Sequence, residues 1–347
     1  MKLLIVTNNP ERASLRQRIK IHMASLENCG IACEVAVLPS GSLDRRKLFR
    51  LSSQFSAVFL HKKRLNWFDA YWLGGYAGKI IYDFDDAIMY NDRSPEQVSY
   101  KRKNDFARTV KLADAVIAGN RYLAEHAVKF QKAVEILPTG LRLDDYRVYA
   151  RRTEGEKVRL VWIGSKSTLM YLKELRNVLE EIGSHFSDVV LRIICDDFFD
   201  LDNMEVEKRK WSEETQFLDL AESDIGLAPL PDNRFTRGKC GFKILQYGAA
   251  GLPVIASPVG VNAEYVSDGV TGFHASNALE WTERIGRAIK DPQRRKSMGL
   301  AARQMAERFD VSAVGRQLYD IIDKCIRGAI RGPSRAAANS IKELDID

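Results

Sequence analysis

Short apolar strands alternate with helical stretches along this chain, and the alternation runs to a stop and then begins again. That restart constrains the fold more than any other feature. The strands of the first half read as Lys2–Thr7, Ala32–Leu38, Ala57–Leu60, Lys79–Asp83, Ala115–Ala118 and Ala133–Leu137. Between them lie a helical pattern over Ser14–Cys29, closed by Gly30 as a left-handed stop, and another over Ser99–Ala113. Pro138, Thr139 and Gly140 break the pattern, and the charged stretch Tyr149–Lys157 reads as a linker. A new series starts with Val158–Ile163, followed by Gly164-Ser165-Lys166-Ser167-Thr168 and a helix over Met170–Ile182. Strands Val189–Ile194, Ile225–Pro229 and Pro253–Ala256 follow, with helices near Glu213–Glu222 and over Ala278–Lys290, Pro292–Arg308 and Val311–Ile326. Alternation of this kind predicts an α/β protein of two doubly wound, Rossmann-like halves facing a shared cleft. The expected divisions are 1–150, 151–310, a closing helix over 311–330 that returns to the first half, and a mobile tail over 331–347. A length of 347 residues suits two such domains.

Charge is divided unequally between the halves. Residues 1–150 hold 24 Lys/Arg against 16 Asp/Glu, whereas the whole chain carries a net +7. Basic clusters at Arg45-Arg46-Lys47-Arg50, Lys62-Lys63-Arg64 and Lys101-Arg102-Lys103 lie among Phe49, Trp67, Phe68, Tyr71, Trp72 and Tyr76. Such a face suits an anionic membrane surface or an anionic acceptor, while solvated helix faces explain any one cluster equally well. No nucleic-acid module is recognisable, so nucleic acid is not expected as a partner. No apolar run is long enough to span a bilayer or to serve as a signal peptide. The five cysteines are odd in number and scattered, which fits a reducing cytoplasm and gives no zinc motif.

Arg237–Gly260 carries the clearest chemistry. A helix starting near Lys239 would align Lys239, Lys243 and Gln246 on one stripe, beside an apolar stripe of Phe242, Leu245 and Ala249. Cations at a helix N-terminus oppose its dipole at a cost of roughly 0.3–1 kcal/mol each. A phosphate or diphosphate held by Arg237, Lys239 and Lys243 would remove the conflict, although three solvated cations fit the same letters. The Gly164–Thr168 turn, with Ser165 and Thr168, stands where a second phosphate-cradling loop belongs, or is a plain capped turn. In the first half, Asp83, Asp85 and Asp86 crowd one strand end. They read as a general base, an orienting group for an acceptor hydroxyl, a Mg²⁺ or Mn²⁺ site, or a set of salt bridges. His61 ends its strand at a similar edge, Arg12 and Arg16 follow the first strand, and Glu264 opens a short helix after a glycine turn.

Taken together, WIGSKST, SDIGLAPLPD, GFKILQYGAAGLPVIASPVG and the closing RRKSMGLAARQMAERF resemble the retaining glycosyltransferases of family 4, with the GT-B fold. The resemblance covers about 160–310 most clearly, and DFDDA, VIAGNRYLAE and ILPTGLRLDDY extend it more loosely through the first half. It implies a nucleoside-diphosphate-sugar donor, a glycan or lipid-linked acceptor, retention of configuration and no metal. The implied diphosphate ligands are Ser165, Thr168, Arg237, Lys239 and Lys243, with Gln246 on the ribose and Glu264 near the sugar. Asp85, Asp86 and Lys243 become the catalytic candidates, with Arg12, Arg16 and His61 on the acceptor side. The E-x7-E glutamates of the family fall on Gly238 and Gln246, as in a subgroup with a K-x3-K-x2-Q/E-Y pattern, and Asp85 stands for the usual histidine. Two other readings stay open: a non-catalytic sugar-nucleotide-binding relative, and a metal-dependent GT-A transferase built on Asp83 and Asp85.

Overall fold

The computed structural model describes residues 1–146 and 157–330. The expected linker (Lys157 excepted), the 150/151 division and the expected mobile tail lie outside the described residues. The chain divides into two compact units. The first contains Met1–Gly140, Asn233–Cys240 and the chain from Val311 onward; the second contains Leu141–Asp232 and Gly241–Asp310.

In the first unit, strands β1 (Lys2–Thr7), β2 (Ala32–Val37), β3 (Ala57–His61), β4 (Ile80–Phe84), β5 (Ala115–Ala118) and β6 (Val134–Ile136) form one parallel sheet. Its order is β2-β1-β3-β4-β5-β6. Strand alternation sends Leu4, Val6, Val58, Leu60 and Tyr82 into one apolar layer and Leu3, Ile5, Phe59 and Ile81 into another. Burial on both faces explains why these strands read as near-continuous apolar runs. Val314, Leu318 and Ile322 of the helix Val311–Ile326 complete the second layer.

The second unit repeats the plan. Strands β7 (Val158–Ile163), β8 (Val189–Ile194), β9 (Glu205–Arg209), β10 (Ile225–Ala228), β11 (Val254–Ala256) and β12 (Gly272–His274) are ordered β12-β11-β10-β7-β8-β9, all parallel. Leu160, Trp162, Leu191 and Ile193 face one apolar layer; Val161, Ile163 and Ala256 face the other, with Tyr247 and Leu245.

Three helices depart from the sequence reading. The one expected over Met170–Ile182 is divided into Leu169–Lys173 and Arg176–His185. The helical pattern over Ser14–Cys29 is two helices, Ala13–Arg18 and Met23–Asn28, because Ile19 leaves helical backbone (φ −138°, ψ −46°). Gly30 does adopt the expected left-handed stop, at φ +84°. The helix expected near Lys239 runs instead over Phe242–Ala249, after Gly241 at φ +64°. Lys239 lies outside it in extended backbone, so the stripe of Lys239, Lys243 and Gln246 does not form. A Cβ on Gly241 would approach Tyr265 and Val261 within 2.9 Å, so only glycine suits both the conformation and the space.

Candidate active site

In each sheet the chain order reverses beside the first strand, between β1 and β3 and between β7 and β10. Doubly wound sheets bind ligands at the carboxyl edge of such switch points. Both edges carry the polar residues singled out above, and their chemistry differs.

At the second unit's edge, Tyr247 holds the strands where they part. Its hydroxyl accepts from Ile163 N–H (3.1 Å) and donates to the Leu227 carbonyl (3.1 Å). The ring fits because Gly226 has no Cβ, which would stand 2.5 Å from it. Beyond β7, the Gly164–Thr168 turn gathers three hydroxyls: Ser165 Oγ lies 3.0 Å from Ser167 Oγ and 3.3 Å from Thr168 Oγ1. Lys243, second residue of its helix, reaches Thr168 Oγ1 at 3.4 Å, with its ammonium 4.6 Å from the Trp162 ring centroid. A Cβ on Gly164 would lie 2.5 Å from the Trp162 ring and 2.8 Å from that ammonium, so glycine leaves room for the ring on which the lysine rests. Gly241 gives this helix no capping side chain, and its first turn holds no acidic residue. A helix start with no side-chain cap, a lysine and a hydroxyl-lined turn make a chemically coherent anion cradle.

Gln246 is buried and donates to Tyr146 Oη (3.2 Å) and Gln216 Oε1 (3.1 Å), tying three segments of this unit together. Glu264 is exposed on the four-residue helix Asn262–Tyr265.

The first unit's edge is a network of compensated charges. Asp83 accepts from the buried Arg18 guanidinium, which also donates to the Leu137 carbonyl (2.6 Å), and Asp83 Oδ2 lies 2.8 Å from His61 Nδ1. The other ring nitrogen, Nε2, lies 2.9 Å from Ser14 Oγ, and Ser14 donates to Asp85 Oδ2 at 2.7 Å. Lys62 bridges Asp85 (2.8 Å) and Asp86, while Lys239 pairs with Asp86 Oδ1 at 2.9 Å. Burial alone would raise these carboxyls, but the adjacent cations prevail. Arg18 and His61 hold Asp83 down at about 2. Lys62 holds Asp85, and Lys239 with Lys62 holds Asp86, below the usual carboxylate range. Burial opposes the Lys62 charge as well, yet Asp85 and Asp86 raise its pKa. Lys62 is also the only described non-glycine residue with positive φ, +54°, a conformation that costs roughly 1–2 kcal/mol. Its N–H donates to the Asp83 carbonyl (2.7 Å), and its ammonium is fixed between two carboxylates.

Lys239 belongs to this network because Asn233–Cys240 packs with the first unit. Asn120 donates to the Gly238 and Lys239 carbonyls (3.1 and 3.0 Å), Tyr122 to the Arg234 carbonyl (3.0 Å), and Cys240 Sγ to the Asp85 carbonyl (3.2 Å). Arg237 sits in the same segment. The structure thus brings Ser165, Thr168 and Lys243 together and groups Arg237 and Lys239 with the other unit. A Cβ on Gly238 would stand 2.7 Å from Ala87 Cβ and 2.8 Å from its nitrogen, so no glutamate fits this position. Arg12 is exposed, and Arg16 donates to the Glu11 carbonyl (3.2 Å). Ser14, which links His61 to Asp85, is the residue sequence reasoning missed. Its partners stand 47 and 71 residues away, and no local pattern marks it.

Residues 147–291 match the family model described as Glycosyl transferases group 1. The match covers less than half of the chain and lies mostly in its second half. A curated relative, D-inositol 3-phosphate glycosyltransferase from Corynebacterium aurimucosum, is 36% identical over 83 residues, 23% of this chain. The chain spans 20% of that relative's length. Over the whole molecule, Anabaena HepE in complex with UDP-glucose superposes with a TM-score of 0.72 at 16% identity, covering 93% of this chain and all of that one. Sucrose-phosphate synthase from Thermosynechococcus elongatus gives 0.72 at 14% identity, covering 94% and 99%. With two six-stranded parallel sheets flanked by helices, the fold is GT-B. Among the described residues, no helix is long and apolar enough to cross a membrane.

Proposed function

We propose that this protein is a glycosyltransferase that moves a sugar from a nucleoside-diphosphate sugar to a hydroxyl acceptor, with retention and without a metal. The carrying observation is the convergence of Ser165, Thr168 and Lys243 at the carboxyl edge of β7, beside the uncapped start of the helix Phe242–Ala249. In this reading the cradle holds the diphosphate, and the Lys243 charge stabilises it as negative charge grows on the departing group. HepE, whose complexes contain UDP and UDP-glucose, supports a nucleotide-sugar donor. Gln246, committed to Tyr146 and Gln216, shapes the wall near the ribose, and Glu264 is free to meet the sugar from the surface.

Asp85 and Asp86 orient the acceptor hydroxyl, with His61, Arg12 and Arg16 nearby on the acceptor side. The acceptor is a glycan or lipid-linked precursor of polysaccharide synthesis, used in the cytoplasm, with peripheral contact between the basic first unit and an anionic membrane. Metal chemistry on Asp83 and Asp85 is disfavoured because Asp83 already serves Arg18 and His61, and Asp85 serves Ser14 and Lys62. In this reading Lys239 leaves the diphosphate set, since it neutralises Asp86, and Arg237 stays a candidate for it.

The test is turnover on a panel of UDP-, GDP-, ADP- and TDP-sugars, followed by product release and by the anomeric configuration of the product in NMR. Transfer with retention that persists in EDTA is expected. Nucleotide binding with neither transfer nor donor hydrolysis would favour the non-catalytic relative, and EDTA-abolished transfer would favour the metal-dependent reading.

A further inference from the structure

The helix Trp67–Tyr76 buries Asp69, Ala70 and Leu73, packs Trp72 and Tyr76 partly against the core, and turns Trp67, Phe68 and Tyr71 outward. Trp67, Phe68 and Tyr71 are 61%, 60% and 58% exposed. Three large rings together in water on one helix are not a scattering of single surface apolars, and such a patch marks an interaction site. The rings touch in series. Tyr71 stacks on Trp67 (5.7 Å between centroids), Trp67 meets Phe68 edge-on (5.1 Å), and Phe68 leads to Trp72 (6.1 Å).

The series ends on a cation, because the Arg46 guanidinium lies over the Trp72 ring at 5.9 Å. Arg46 belongs to the neighbouring helix Ser42–Leu51, joined to the aromatic helix by the Arg45–Asp69 ion pair (2.8 Å). That helix exposes Lys47, Arg50 and, 70% accessible, Leu43.

Rigid amphipathic rings edged by arginine and lysine match a headgroup region, where tryptophan and tyrosine settle and cations meet anionic lipid. We propose that this face, Trp67, Phe68 and Tyr71 flanked by Arg46, Lys47 and Arg50, docks the first unit on an anionic lipid bilayer. The proposal rests on the peripheral-contact part of the reading above and locates that contact on one face. The rings insert at the level of the headgroups, and the adjacent helix supplies the charge.

Sedimentation with vesicles of phosphatidylcholine, with and without 30% phosphatidylglycerol (roughly the anionic range in which polybasic faces respond), tests it. The full chain is expected to co-sediment with the anionic vesicles and much less with the neutral ones. Trp67→Ser/Phe68→Ser/Tyr71→Ser should reduce co-sedimentation by about tenfold or more. Arg46→Gln/Lys47→Gln/Arg50→Gln should weaken it and flatten its salt dependence. The three ring positions are solvent-exposed, and a circular dichroism melt checks that the variants fold. In wild type, Trp67 fluorescence should shift to the blue on vesicle addition, with the shift lost in Trp67→Phe. Wild-type chain that ignores anionic vesicles overturns both the face and membrane contact. Wild-type binding matched by the ring variant overturns the face alone. Concentration-dependent dimerisation lost in the ring variant, without vesicle binding, would assign the patch to a second copy of the chain instead. None of these outcomes depends on donor turnover, so a failed transferase assay leaves the result interpretable.

Discussion

The two switch-point edges have the same topology and opposite electrostatics. In the first unit, Asp83, Asp85 and Asp86 are matched by Arg18, Lys62 and Lys239, with His61 and Ser14 threading them together. In the second, hydroxyls and one lysine resting on an aromatic ring line an open turn. The first edge is charge-compensated by its own residues, which suits the neutral acceptor hydroxyl proposed for it. The second presents donors and positive charge, a place for an anion. A sheet thus determines where a site sits, and the residues at its edge determine what the site takes.

The largest test of that contrast is Asp83→Asn. It leaves the buried Arg18 guanidinium without its counter-charge and should cost about 3–5 kcal/mol in urea unfolding. A loss below about 1 kcal/mol would mean that this edge tolerates an unpaired buried charge, and the contrast would fail. Acid should act in the same direction. The folded-state Asp83 is held at about 2, below its unfolded value, so its contribution is complete above that value and disappears as pH falls toward 2. Asp85 and Asp86 are depressed too, so all three contribute with the same sign. The urea midpoint should therefore hold between pH 7 and roughly 5 and drop between roughly 4 and 2. A midpoint that rises on acidification would contradict the network.

Next in size is Tyr247→Phe, which leaves Ile163 N–H and the Leu227 carbonyl unbridged. The expected cost is about 1–3 kcal/mol, with hydrogen exchange rising at Ile163 and no change at the Asp83 edge. The smallest effect belongs to Lys239→Met. Asp86 keeps Lys62, so stability should fall by less than about 1 kcal/mol and nucleotide affinity should not change. A large loss of affinity there would return Lys239 to the diphosphate.

Much of this was legible from the letters. Doubly buried strands are apolar throughout, so VRLVWI and VVLRII announce themselves, and a glycine–hydroxyl turn after a strand marks the cradle. β9, EVEKR, was missed because an edge strand paired on one side can be almost wholly polar. β12 is three residues long and gives no periodicity. Lys239 was misplaced because the helical stripe was extended through Gly241, whose left-handed backbone ends it. The three-carboxylate cluster was visible, whereas its counter-charges were not. Arg18 lies 65 residues from Asp83 and Lys239 153 from Asp86, and only the fold pairs them.

The central claim is that the anion cradle of the second unit, centred on Lys243, holds the donor diphosphate. Calorimetric titration of wild type, Lys243→Ala and Lys103→Ala with UDP, GDP, ADP and TDP tests it most directly. The account predicts that the preferred nucleotide binds Lys243→Ala about tenfold or more weakly, the loss of one charge-assisted contact, and binds Lys103→Ala as it binds wild type. Equal affinity for all three proteins would contradict it.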